Sequence, residues 1–279
     1  MIILKAIGSF FAKIGRWIKE TAWVQPLLIV GAIFAVIFSI PHIVNWVSSW
    51  FASGNEYETF YGRYQVSLNG AVEHKSDADK LMQYLENRNN GTATSDEINK
   101  YGDQFFLTFY QSGCSGCEDT FPGFETLQAN FNSGEFTVKE MSTGYKSSTE
   151  FKYFTIKVDE STDDELTGSE TSFDKLFDNY PDFFEEAVTS VEDRPYYHKQ
   201  GGSSSTYASL LEDINDINSF QTPTTFMIDF NYPEASEYGI VDIIFNFDGK
   251  DNKTTATALA RTLIDCWNHV GVFSEEEND

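Results

Sequence analysis

Two cysteines three positions apart, Cys114 and Cys117, are the residues of this 279-residue chain whose type and spacing most directly imply chemistry. The run Phe105 to Tyr110 ahead of them is short, aromatic and glycine-bounded, which predicts a buried strand. Behind them Phe121, Phe124, Leu127 and Phe131 recur at spacings of three and four, which predicts a helix. Cys114 then falls in the first turn of that helix, where unsatisfied N–H groups and the helix dipole favour an anion. A thiolate nucleophile is the expected species. Cys117 lies on the same side and can close a small disulfide ring, so the implied chemistry is thiol–disulfide exchange. Half of a zinc site has the same spacing but needs two further ligands. Only Cys266 and four scattered histidines (His42, His74, His198, His269) remain, with no second pair at ligand spacing, so neither metal nor cofactor is expected.

With its neighbours, this stretch resembles the thioredoxin superfamily. The strand ends in Phe109-Tyr110 shortly before the first cysteine, and Pro122 stands five residues after Cys117, where the family carries a helix-kinking proline. Thr222-Pro223, followed by a strand from Thr225 to Phe230, is similar to the family's cis-proline segment; Lys157-Val158-Asp159 looks like the end of the intervening strand. The resemblance spans residues 75–273 and implies an α/β, thioredoxin-like fold: a central mixed sheet flanked by helices, with insertions. It also implies that Cys114 and Cys117 form a redox disulfide. Substrate would then bind across Thr222, Pro223, Ser115 and Gly116.

Four features depart from the family pattern. Thr108 stands six residues before the first cysteine, where many members have a buried Asp that serves proton transfer, and a threonine is no base at neutral pH. Gly113 replaces the usual Trp, and the intervening pair is Ser115-Gly116. Glu118 and Asp119 adjoin the site and oppose a thiolate.

Charge divides the chain. The formal net charge is −24, yet residues 1–50 hold four basic residues (Lys5, Lys13, Arg16, Lys19) and one acid (Glu20), leaving the remainder at −27. That balance disfavours nucleic acid as a partner. Residues 1–22 are basic and amphipathic, with Ile3, Ile7, Phe10, Ile14, Trp17 and Ile18 on one helical face; they read as a helix on an anionic leaflet or as the basic flank of a span. Residues 21–55 contain no charged side chain, and Val24 to Val47 is apolar, 24 residues that as a helix extend about 36 Å. With Trp23, Trp46 and Trp50 as interfacial aromatics, residues 23–50 are expected to be a single transmembrane signal anchor with a cytoplasmic N-terminus. A cleavable signal peptide is the competing reading.

Residues 51–74 are polar, with aromatics at Tyr57, Phe60, Tyr61 and Tyr64, and read as a stalk or a first strand around Tyr64 to Leu68. Helices are expected from Asp77 to about Asn90, from Ser95, around Phe173 to Val191 with a break at Pro181, through Leu210 to Ile217, and from Thr254 to Val270. Further strands are expected over Phe136 to Met141, Phe151 to Asp159 and Gly239 to Phe247. Residues 160–206 read as an insertion, either a lid over the site or peripheral packing, and the acidic tail 274–279 as disordered. Cys266 reads as a buried small hydrophobe and His269 as structural.

Two function classes follow. One is a membrane-anchored extracytoplasmic thiol–disulfide oxidoreductase acting on exported proteins, with an unidentified redox partner and the lipid bilayer as surroundings. The other is a non-catalytic thioredoxin-like interaction module of a membrane or cell-surface assembly, whose cysteines form a structural disulfide; both imply an outside location, where disulfides persist.

Overall fold

Seven consecutive residues, Gln104 to Tyr110, form strand β1, and every one of them is buried. A strand buried on both faces needs helices on both, and the rest of the chain supplies them. The computed structural model describes residues 56–134, 146–163, 170–191, 213–233, 235–245 and 256–269. The expected anchor 23–50, the basic segment before it, the strand over Phe136 to Met141, residues 192–212 and the tail 274–279 lie outside the described residues.

The elements run α1 (Glu56–Gly62), a 3₁₀ turn (Ala71–Glu73), α2 (Asp77–Asn89), α3 (Ser95–Tyr101), β1 (Gln104–Tyr110), α4 (Ser115–Ser133), β2 (Tyr153–Lys157), α5 (Ser172–Asn179), α6 (Pro181–Val191), β3 (Thr224–Asp229), β4 (Ile240–Ile244) and α7 (Ala256–Trp267). The strands form one mixed sheet in the order β2-β1-β3-β4. β1 pairs with β2 in parallel and with β3 antiparallel, and β3 pairs antiparallel with β4 through an irregularity at Met227/Ile228. The α/β class and the mixed sheet flanked by helices are therefore as expected.

Local chemistry sets the helix starts. Ser76 caps α2, Thr94 caps α3 and Thr171 caps α5, each in a reciprocal capping box with the acid three residues on (Asp79, Glu97, Asp174). Pro181 opens α6 directly after α5 ends, at the expected break.

Alternation along the strands sorts the core into two layers. Phe105, Leu107 and Phe109 of β1 join Phe226 and Ile228 of β3 and Ile156 of β2 against α2, α5 and α6. Phe106 and Tyr110 join Tyr153, Met227 and Val241 against α1, α4 and α7. Residues 172–191 are thus one of the two covering layers: Phe173, Leu176, Phe177, Phe183, Phe184 and Ala187 are all buried with the sheet. Of the expected insertion 160–206, this part packs against the sheet, and residues 164–169 and 192–206 lie outside the described residues.

Two expectations are corrected at the N-terminal side. Within residues 56–74, α1 buries Tyr57, Phe60 and Tyr61, and the strand expected around Tyr64 to Leu68 is reduced to one parallel bridge beside β2, Gln65 to Thr155. Tyr57, Phe60, Tyr61 and Tyr64 fall at i, i+3, i+4 and i+7, which is one face of a helix. The compact unit accordingly begins at Asn55, not at residue 75.

Candidate active site

β1 ends at Tyr110, the chain turns through Gln111-Ser112-Gly113, and α4 starts at Ser115. Gly113 takes a left-handed φ of +67°, a conformation that glycine adopts without a Cβ penalty. Asp159, just past β2, accepts the Ser112 N–H on both carboxylate oxygens (3.0 and 3.1 Å) and pins the turn.

Cys114 occupies the N-cap position of α4, and the Cys117 N–H points at its Sγ from 3.0 Å. Cys114 and Cys117 are joined by a disulfide with an S–S distance of 2.08 Å. Cys117 is fully buried; Cys114 retains 6% exposure and is flanked by exposed Gly113 and Ser115. Of the two cysteines, Cys114 keeps the greater exposure.

The Thr222–Pro223 peptide bond is cis, and the structure brings it to the cysteines. Cys114 Sγ lies 3.4 Å from the Thr222 carbonyl oxygen, and the Thr222 hydroxyl is 3.7 Å from the same sulfur. Cys114, Cys117, Thr222 and Pro223 thus form one cluster, with Ser115 exposed and Gly116 buried in the first turn of α4. Pro122 falls inside α4.

Beneath the helix, hydroxyl groups take the place of a carboxylate. Thr108 is buried, within 2.7 Å of the Thr225 hydroxyl, and accepts a hydrogen bond from Tyr153 at 3.1 Å. Burial pushes the Tyr153 and Tyr61 phenols well above the ordinary tyrosine range, so both are neutral donors. Tyr61 directs its hydroxyl at the Cys117 carbonyl (3.4 Å). A buried carboxylate does serve α7: Asp242 of β4 accepts from the Cys266 thiol at 3.1 Å. Burial, reinforced by Asp242, pushes the Cys266 thiol well above its usual range. His269 is buried, 3.0 Å from the Asp229 carboxylate and stacked on Tyr232, so it acts structurally. Among the described residues, no three His, Cys, Asp or Glu side chains converge as metal ligands, and no helix is long and apolar enough to cross a membrane.

Sequence reasoning missed Tyr57. Its phenol oxygen accepts the Cys114 N–H at 3.0 Å and lies 3.2 Å from the Gln111 carbonyl, which it can donate to. The helical spacing of the aromatics in α1 was the available signal. Asp159 was read only as the end of a strand, and nothing in its sequence context marks it as a partner of Ser112. Comparison of the chain with protein-family models, with curated proteins and with solved structures gives no match.

Proposed function

We propose that this chain is a thioredoxin-like thiol–disulfide oxidoreductase, held at a membrane by residues 23–50 and acting outside the cytoplasm on the thiols or disulfides of exported proteins. The observation that carries the reading is the disulfide Cys114–Cys117 set at a helix N-terminus against a cis Thr222–Pro223 bond, with Cys114 Sγ 3.4 Å from Thr222 O. Structural bridges rarely need a donor aimed at one sulfur and an exposed turn beside it; an exchanging pair needs both.

In the reduced protein, the Cys114 thiolate accepts the Cys117 N–H and can accept the Thr222 hydroxyl. It attacks one sulfur of a substrate disulfide. A Cys114–substrate bond forms, the substrate S–S bond breaks, and the departing sulfur leaves as a thiolate that takes a proton from water. Cys117 loses its proton and attacks Cys114 Sγ, closing the intramolecular disulfide and releasing the second substrate thiolate. Two electrons pass from the cysteine pair to the substrate, whose two thiolates take up the proton lost by Cys117 and one proton from water; run backwards, the same steps oxidise a substrate dithiol. Substrate backbone would lie along Thr222-Pro223 and the exposed Ser115.

The alternative, an interaction module with a structural disulfide, draws support from the burial of both sulfurs and from Thr108 in place of a carboxylate. Cys117→Ser separates the two. The exchanger accumulates mixed disulfides on Cys114 in cells, released by dithiothreitol; a structural module accumulates none.

A further inference from the structure

The active-site turn is closed by a residue from outside it. Tyr57 is 1% exposed and comes from α1, 57 positions before Cys114. Its hydroxyl bridges the two ends of the turn, with the Cys114 N–H at 3.0 Å and the Gln111 carbonyl at 3.2 Å. The single phenolic proton is shared between Gln111 O and Glu58 Oε1, which is 3.3 Å away. The ring is fixed by an edge contact with Tyr61, itself packed against Tyr110 at the end of β1. The cysteine that starts exchange is thereby held from three sides: by α4 through the Cys117 N–H, by Thr222 and by Tyr57.

We propose that Tyr57 is a positioning residue for the cysteine pair: its hydroxyl holds the Cys114 backbone at the N-cap, and so keeps the Cys117 N–H aimed at Cys114 Sγ. This rests on the exchange reading above and extends it to α1. The physical reason is geometric. Gly113 in its left-handed conformation gives the turn freedom, and Cys114 N is not bonded within α4, because an N-cap residue precedes the helical ladder. With the phenol absent, that N–H and the Gln111 carbonyl lose their shared partner. The turn keeps its Ser112–Asp159 bonds, but its Cys114 end loses its tether, and the donor to Sγ is no longer held in register.

The test uses the full-length chain. Tyr57→Phe keeps the ring and removes only the hydroxyl. Tyr84→Phe is the control: it removes a comparable phenol bond, to Gly102 O at 2.6 Å, beside the far end of β1. Reduced proteins are alkylated with iodoacetamide across pH, with Cys114 read by peptide mapping, and the disulfides are equilibrated with glutathione. Tyr57→Phe is expected to slow Cys114 alkylation at neutral pH about tenfold and to move the profile midpoint to higher pH. It also shifts the glutathione equilibrium about tenfold toward the disulfide, while Tyr84→Phe moves neither. The proposal is overturned if Tyr57→Phe matches the wild type in both readouts, if Tyr84→Phe shifts them equally, or if Tyr57→Phe loses its fold, which would make the role structural. A wild-type chain that never exchanges with glutathione would sink the exchange reading alone, and the alkylation comparison would still decide the role of Tyr57.

Discussion

Cys114 and Thr222 are 108 positions apart in sequence and meet at 3.4 Å. Their partnership was legible only through the resemblance, which implies a Thr-Pro segment facing the cysteine pair. Tyr57 and Asp159 were not, because both act on backbone groups of the turn from 57 and 47 positions away, and a backbone acceptor or donor leaves no mark on its own sequence position. Cys266 shows the opposite case. Read as a buried small hydrophobe, it is indeed buried, but its thiol donates to Asp242, and both burial and that carboxylate hold it protonated. A protonated, enclosed thiol is inert, because the thiolate is the nucleophile. The oxidised full-length chain should therefore take up no maleimide while folded and one equivalent after denaturation. Labelling of Cys266 in the folded, oxidised chain would contradict that account.

At the level of elements, the helices with capping boxes were legible almost to the residue. Asp77–Asn89 and Ser95–Tyr101 begin where Ser76 and Thr94 signal a start, because the cap chemistry is local. α1 was not read, although its aromatics keep helical spacing; seven residues make only two turns, and periodicity over so short a span is weak. The close approach of α4 to α7 was hidden as well. A Cβ added at Gly123 would stand 2.6 Å from Leu259 Cβ, so glycine at this helical position is set by the packing of the two helices. Ala in a free helix interior gains about 1 kcal/mol over Gly. Here overpacking reverses the sign: Gly123→Ala should destabilise by about 1–3 kcal/mol in urea unfolding. A raised midpoint would mean that α4 and α7 are not so tightly apposed.

For the whole molecule, the two-sided core explains which features the sequence revealed. The burial of β1 and the alternation of the later strands were readable from the apolar runs, while the α/β class came from the resemblance. The assignment of 172–191 as a covering layer was not, because amphipathic helices show that a face is buried and not against what. Each face of the sheet carries its own task. α2, α5 and α6 seal one side around Phe109 and Phe226, while α1, α4 and α7 hold the disulfide on the other. Under α4, Thr108 is bonded among hydroxyls where the family that the sequence resembles often has a carboxylate, so on the proposed exchange reading water or substrate would accept the Cys117 proton. The exchange reading then stands or falls on energetics that one equilibrium reports: the reduction potential of Cys114–Cys117 in the full-length chain, measured by equilibration with glutathione. The account predicts a value within the span of known exchangers, roughly −270 to −120 mV. A value below about −300 mV would identify a structural disulfide and contradict it.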